Sequence, residues 1–288
     1  RFTNNSIFEN SSEYTHTIIQ QMNQNIDSYI DYMENIAYLI SSNEDVQDYL
    51  FDENIDNEGR YRILNQFRTI LDSRSDIRNV GIISKNGRML LNDGSKSVNQ
   101  DLDLNKQEWY VNALAKPNGP ILTSSHVQHI ISGERPWVIT LSRGIRDRSG
   151  SGEKEGVFFI DLNYSAISEL CDQSTVGTKG YAFILDAKGN IVYHPQQQLI
   201  YASLKEENQK NMENGTYIKS NVIYTVNSLQ NCDWHIVGVC YVDEMITNKV
   251  ERVVSSLVVI LAIVLAGTVF LGSVFSDLFS KPVTSLVR

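Results

Sequence analysis

Residues able to do chemistry are sparse and do not combine into a catalytic site. His126 and His129 have the H-x-x-H spacing of a zinc site, but the pattern around them predicts a strand and a loop rather than one face of a helix. Gly150 and Gly152 form a G-x-G without a following helix or lysine, so phosphate binding is not indicated. No serine stands in a G-x-S-x-G turn. The sequence therefore predicts no catalytic residue, no metal site and no cofactor.

The composition is acidic and poor in cysteine. The formal net charge is −9 and the pI is about 5.1, which argues against a broad basic face for nucleic acid. Cys171, Cys232 and Cys240 are too few for a disulfide scaffold and have no C-x-x-C spacing. The sequence is compatible with one disulfide, for which Cys171 and Cys232 are the favoured pair.

An uncharged apolar stretch near the C-terminus predicts a transmembrane helix. Residues 253–275 contain no charge and no proline, and charged residues stand on both sides of them. A helix of that length is roughly 35 Å long, enough to cross a hydrocarbon core of about 30 Å. The preceding residues, 243–252, contain no proline or glycine, so we expect one unbroken helix from the folded part into the membrane.

The N-terminal region predicts one long amphipathic helix. Apolar residues recur at spacings of three and four, as in a heptad seam: Ile19, Met22, Ile26, Tyr29, Met33, Ile36 and Ile40. This seam predicts a dimer contact in addition to packing on the folded part. The alternative is a plain amphipathic helix packed on its own sheet.

Two similar hairpins indicate two α+β units in tandem. In "VGIISKNGRML" and "AFILDAKGNIV", an apolar strand, a turn with glycine and a second apolar strand follow one another. Short helices are predicted at "KQEWYVNALA" and "SAISELC", and further strands at "ILTSSHV", "WVITLSRGI", "VFFIDLN", "GTYIKS", "VIYTVNSL" and "DWHIVGVC". The fold class predicted is α+β with antiparallel, PAS-like sheets.

This layout resembles the double Cache sensor domain found outside bacterial membranes. The resemblance is carried by the long N-terminal helix and by "EWYVNALAKPNGPILTSSHV", "PWVITLSRGI", "GVFFIDLN" and "GYAFILDAKGNIVYHP", while "FSKPVTSLVR" resembles the start of a HAMP linker. It implies five segments: a signalling and dimer helix (1–55), a membrane-distal unit (56–165), a membrane-proximal unit (166–242), a stalk with the transmembrane helix (243–275) and a HAMP start (276–288).

The resemblance implies a homodimeric sensor with most of the chain extracellular and its C-terminal end cytoplasmic. The composition is most similar to that of sensor histidine kinases, whose kinase domain would signal to a cytoplasmic response regulator. A methyl-accepting chemoreceptor and a non-signalling surface-anchored binding protein are the alternatives.

The same resemblance implies a small-molecule site in the distal unit. Trp109 and Tyr110 match the family's Trp-Tyr pair, and Asp161 matches its acidic position. Aromatic faces with a few directed polar groups suit a small ligand, and a buried carboxylate requires an ammonium or hydroxyl partner. The alternatives are that the aromatic pair packs the core and that Asp161 pairs with an arginine such as Arg143.

Three further positions depart from the amino-acid receptors of the family. Gln107 stands where those receptors carry an arginine, and His126 and Gln128 stand where they carry a tyrosine and an aspartate. Without arginine the bidentate grip on a carboxylate is lost. The sequence therefore favours a sugar or another neutral polar ligand over an amino acid.

Overall fold

The computed structural model describes residues 2–52, 57–117, 119–148, 155–172, 176, 180–196, 213–219 and 221–285. The helices in these ranges are α1 (Phe2–Ser41), α2 (Glu44–Phe51), α3 (Asn57–Ser73), α4 (Glu108–Ala115), α5 (Tyr164–Asp172) and α6 (Val242–Ser285), with a short 3-10 helix at Leu104–Lys106. The glycine pair at 150 and 152 lies outside the described residues.

The strands form two antiparallel sheets. They are β1 (Ile77–Ser84), β2 (Met89–Leu91), β3 (Pro120–Leu122), β4 (His126–Val127), β5 (Trp137–Arg146), β6 (Glu155–Asn163), β7 (Tyr181–Leu185), β8 (Ile191–Tyr193), β9 (Gly215–Lys219), β10 (Val222–Ser228) and β11 (His235–Tyr241). The first sheet has the order β2-β1-β6-β5-β3 with β4 paired to β5, and the second has the order β8-β7-β11-β10-β9. The first sheet belongs to the distal unit and the second to the proximal unit. The predicted α+β fold with two tandem PAS-like units is confirmed.

The two predicted hairpins have the expected turn chemistry. Gly87 and Gly189 both adopt a positive φ, of 92° and 81°, which costs a glycine little because it has no Cβ. In each turn the strands on either side pair antiparallel, β1 with β2 and β7 with β8. The glycines therefore set the sharp reversal that the sequence indicated.

One predicted strand is divided into two. The segment "ILTSSHV" forms β3 and β4, with Thr123, Ser124 and Ser125 between them. The hydroxyls of Ser124 and Ser125 bond to the proximal unit, which draws this part of the chain away from a regular ladder with β5.

The apolar face of α1 packs against the chain's own core. Ile19, Met22, Ile26 and Met33 have no exposed area, and Ile40 is 9% exposed. They belong to one hydrophobic cluster with residues of both sheets. These side chains are therefore covered by the chain's own core and cannot form a contact with a second chain, while a dimer contact through other residues of this helix stays a prediction.

The helix α6 carries the apolar stretch. It begins directly after β11 and runs unbroken through Val253–Val274, a segment of 22 residues with mean hydropathy 2.7 that is long and apolar enough to cross a membrane. The predicted continuity from the proximal sheet into this segment is confirmed. Cys171, Cys232 and Cys240 form no disulfide, so the Cys171–Cys232 bridge that the sequence left open is not formed.

Candidate ligand-binding site

Asp161 lies at the centre of a buried hydrogen-bond network in the distal sheet. Its carboxylate has no exposed area. It stands directly opposite Asn79 on β1 and Thr140 on β5 in the strand register. Thr140 Oγ1 donates to Oδ1 at 2.6 Å and Asn79 Nδ2 donates to Oδ2 at 2.8 Å. Gln128 Nε2 adds a third bond, to Oδ1 at 3.1 Å. The predicted alternative of an Asp161–Arg143 pair is not observed; Arg143 instead stacks over the ring of Tyr38.

Burial and hydrogen bonding act in opposite directions on this carboxyl group. Removal from water raises the pKa of Asp161, since the charged form loses its hydration, and the bonds from Thr140, Asn79 and Gln128 offset only part of that effect. The net result is a raised pKa. An additional positive charge near Asp161 would therefore stabilise its ionised form, which is a strong hydrogen-bond acceptor.

His126 is joined to Asp161 through the hydroxyl of Thr140. His126 Nδ1 lies 3.0 Å from the carbonyl oxygen of Ser124, and its Nε2 lies 3.3 Å from Thr140 Oγ1. A carbonyl only accepts, so Nδ1 carries a proton. The Thr140 hydroxyl, which donates to Asp161, therefore lies between the carboxylate and the imidazole ring.

Trp109 is almost fully buried on α4 and yet lines a cavity. Its ring packs on Phe159 with centroids 4.8 Å apart, and its backbone oxygen accepts a 2.7 Å bond from Ser142. Its Nε1–H, although buried, has no hydrogen-bond acceptor among the described residues. Buried indole N–H groups usually have a partner, so this donor is a natural contact for a ligand acceptor.

The cavity has a volume of about 700 Å³, within the usual range for small-molecule sites. The start of α4 and the residues before it form one wall, with Lys106, Gln107 and Trp109. His126 lies in a second wall, and Asn190 of the proximal unit in a third. Among the described residues, no group of three or more His, Cys, Asp or Glu side chains is placed to hold a metal ion.

The structure brings together most of the predicted site residues. Gln107, Trp109 and His126 line the cavity. Gln128 and Asp161 lie in the hydrogen-bond network that reaches the cavity through His126.

Tyr110 does not line this cavity. It is 4% exposed and meets Trp109 edge to face, with ring centroids 5.9 Å apart, so it packs the distal core. Burial raises the pKa of its hydroxyl.

Four residues of the site were missed by sequence reasoning. Asn79 and Thr140 stand opposite Asp161 only in the observed strand register, which the sequence pattern did not specify. Lys106 directly precedes Gln107 and supplies a cation near the place of the absent arginine. Asn190 carried no local signal, since it comes from the other unit.

Comparison with known proteins establishes the family. Residues 3–249 match the dCache_1 model, described as a Cache domain. The chain belongs to the Cache domain family. The methyl-accepting chemotaxis protein McpC of Bacillus subtilis is 32% identical over 99 residues, which cover 34% of this chain and 14% of that relative. McpA of the same organism is 21% identical over 287 residues, covering 94% of this chain and 39% of McpA.

A solved structure shows the same fold. The ligand-binding domain of the Pseudomonas fluorescens chemoreceptor CtaA, in complex with L-isoleucine, has a TM-score of 0.65 at 16% identity, covering 85% of this chain and 98% of that one. Thus the predicted Cache fold is confirmed. An extracellular sensor domain followed by one apolar helix fits a membrane protein.

Two predictions need correction. The expectation of a sugar rather than an amino acid is wrong: solved Cache domains similar to this one hold amino acids, among them L-isoleucine, L-glutamine and GABA. The absence of the arginine was given too much weight. The histidine kinase interpretation, and with it the response-regulator partner, is not supported, because the relatives are chemotaxis receptors. The chain spans only 14% to 39% of the length of these three relatives.

Proposed function

We propose that this chain is the sensory and membrane-spanning region of a methyl-accepting chemotaxis receptor, and that it binds a free amino acid in the cavity between α4 and β4. The observation that carries the proposal is the Nε1–H of Trp109, a buried donor without an acceptor among the described residues, in a residue that lines the cavity. Ligands of solved Cache chemoreceptor domains, such as L-isoleucine and L-glutamine, carry both a carboxylate and an ammonium group.

In this proposal the carboxylate of the amino-acid ligand is bound by donors at the start of α4. Lys106, whose side chain is 81% exposed and only weakly held by Asp103 at 3.3 Å, supplies the charge. Trp109 Nε1–H supplies a directed hydrogen bond from a site shielded from water, where such a bond is stronger. Together they take the place of the arginine expected at the position of Gln107. They offer a point charge and a single hydrogen bond, whereas arginine offers a planar guanidinium with two parallel hydrogen bonds.

In this proposal the ammonium group of the ligand is bound by the hydrogen-bond network around Asp161, which His126 contacts through Thr140. Asp161 accepts a neutral amide hydrogen bond from Gln128, and a cation in that place interacts more strongly because the carboxylate is removed from water. A ligand with both groups thereby satisfies both ends of the cavity.

Thermal unfolding of the full chain in detergent, screened against the twenty L-amino acids and GABA, tests the ligand. A ligand at a hundred times its dissociation constant adds about 2.7 kcal/mol to the folded state, a rise of roughly 5–11 °C in melting temperature for a folded part of this size. Trp109→Phe keeps an aromatic ring but removes the N–H, and should reduce the shift. Trp137→Phe is the matched control, since Trp137 is not a cavity residue. Absence of a shift with every amino acid would refute the proposed ligand.

In the proposed receptor the folded units lie outside the cell and the chain from residue 276 onward lies inside, where it begins a HAMP linker. Labelling of intact cells with a membrane-impermeant maleimide tests this topology in a background without native cysteines. Asn86→Cys, on an exposed turn, should be labelled and Ser285→Cys should not. Labelling of both positions would contradict the proposed orientation.

A further inference from the structure

One turn of the proximal unit is bonded to both distal segments that carry the candidate site. The turn comprises Asp186–Asn190, between β7 and β8. Ser124 Oγ donates to Asp186 Oδ2 at 2.6 Å. Lys188 Nζ donates to Glu108 Oε1 at 2.7 Å. Both contacts join residues that lie far apart in the sequence, and both cross from one unit to the other.

These contacts fall next to the candidate binding residues. Glu108 is the first residue of α4 and stands between Gln107 and Trp109. Ser124 precedes His126 by two residues and offers its carbonyl oxygen to the imidazole. The turn thus makes one hydrogen bond to each of two sides of the cavity, at Glu108 and at Ser124.

The same turn is also a wall of the cavity. Gly189, Asn190 and Ile191 line it together with Trp109 and His126. A second cavity of about 780 Å³ between the units is lined in part by Ala187 and Lys188, and both cavities share Glu108 and Ser124. The turn therefore lies between the two cavities, and its residues line both of them.

The turn is rigid enough to act as a wall. The Asp186 carboxylate accepts hydrogen bonds from the backbone N–H groups of Lys188 and Asn190 and from the Asn190 side chain, in addition to Ser124. Burial by itself raises the pKa of Asp186, but these hydrogen bonds hold it below its ordinary value. With Gly189 in its left-handed conformation, the turn is organised before any ligand arrives.

We propose that the Asp186–Asn190 turn is a working part of the ligand site, the proximal wall that closes over an amino acid bound between α4 and β4. This inference rests on the proposed function. It makes the ligand a contact of both units rather than of the distal unit alone. The turn directly follows β7, which pairs with β11, and β11 continues directly into α6, so the turn has a short structural connection to the membrane helix.

Calorimetric titration of the full chain in detergent with each of the twenty L-amino acids and GABA tests the inference. Asn190→Trp places an indole ring against the proposed ligand position and should weaken binding tenfold or more through steric overlap with the ligand. Ser124→Ala removes the hydrogen bond to a charged partner and should weaken binding about tenfold, because the closed wall is less favoured. Asn86→Trp, in the corresponding turn of the distal unit and away from both cavities, should leave binding within about twofold of the wild-type value.

The outcomes separate this inference from the proposed function. If the wild-type chain binds an amino acid and Trp109→Phe weakens it, but Asn190→Trp and Ser124→Ala bind normally, the turn is not part of the site and only the inference fails. If the wild-type chain binds no amino acid, both fail. Ser124→Ala leaves the turn's own hydrogen bonds intact, so it remains informative even if Asn190→Trp does not fold.

Discussion

The side-chain amide of Gln128 donates a 3.1 Å hydrogen bond to the buried carboxylate of Asp161. Amino-acid receptors of the family carry an aspartate at the position of Gln128, so in this chain a neutral donor stands where those receptors have a second acid. The amide satisfies Asp161 in the absence of ligand. It also competes with an incoming ammonium group for the same oxygen.

Gln128→Asp should therefore strengthen amino-acid binding while weakening the free protein. Two buried carboxyl groups repel when both are ionised, which we expect to cost about 1–3 kcal/mol of unfolding free energy without ligand. An ammonium group relieves that repulsion, so the affinity should rise by about tenfold. Urea unfolding and calorimetric titration measure the two effects. Gln128→Asn adds no charge and should not improve affinity; equal improvement in both variants would contradict the explanation.

Substitutions of Asp161 should separate its structural role from its role in binding. Asp161→Ala leaves Thr140, Asn79 and Gln128 without their acceptor in the core, and we expect a loss of at least about 3 kcal/mol in unfolding free energy. Asp161→Asn keeps one acceptor oxygen and should lose only about 1–2 kcal/mol. Both should lose amino-acid binding, but only the asparagine variant gives a clear result, since its fold is retained. Normal binding by a folded Asp161→Asn variant would exclude Asp161 from the site.

Sequence periodicity predicted the elements better than it predicted what they contact. The turns at Gly87 and Gly189 were detectable because glycine between two apolar strands leaves few alternatives. The seam through Ile26 and Met33 was equally regular, yet a regular apolar face does not say whether a sheet of the same chain or a second chain covers it.

The candidate site shows the same limit. Trp109 and Asp161 were identified through family resemblance, and the strand register supplied the neighbours of Asp161. The bond between Ser124 and Asp186 joins residues 62 positions apart in different units, and no local pattern encodes it. Contacts of this kind depend on how the two units pack, which only the folded chain determines.

The stability of the fold should fall in acid partly through Asp76. Arg74 donates two bonds to its carboxylate, at 2.8 and 2.5 Å, and the Tyr29 hydroxyl donates one at 2.7 Å, which connects α1 to the distal unit. Burial raises the pKa of Asp76, but these partners more than offset it and hold the pKa below its ordinary value. A carboxyl group with a lowered pKa in the folded state stabilises the fold above its unfolded pKa of about 3.9. That contribution is lost as the pH falls through the folded value.

Urea unfolding between pH 2.5 and 7, followed by tryptophan fluorescence, measures this contribution. Asp76→Asn should be less stable than the wild type at pH 7, and the difference should begin to shrink below about pH 4, where the carboxyl group of the unfolded chain becomes protonated, and should vanish below the lowered pKa of the folded state. Asp72→Asn, on the exposed surface of α3, is the control and should leave the curve nearly unchanged. A difference that stays constant with pH would mean that the charge of Asp76 is not involved.

The contact between α1 and β11 should be sensitive to a single methyl group. A Cβ added at Gly238 would lie 2.5 Å from Ile19 Cδ1 and 2.6 Å from its Cγ1, so the helix rests directly on the strand that leads into α6. Gly238→Ala should therefore destabilise the chain by about 1–3 kcal/mol through overpacking.

A double-mutant cycle with Ile19→Ala tests whether this contact is the cause. Ile19→Ala alone creates a cavity and should cost about 2–5 kcal/mol. The double variant should cost clearly less than the sum of the two, because the new methyl group occupies part of that cavity. Ile63→Ala, on α3 of the distal unit, provides the matched control and should add independently to Gly238→Ala. Additive costs for Ile19 and Gly238 would show that α1 and β11 adjust independently, and would remove this contact as a route by which α1 influences α6.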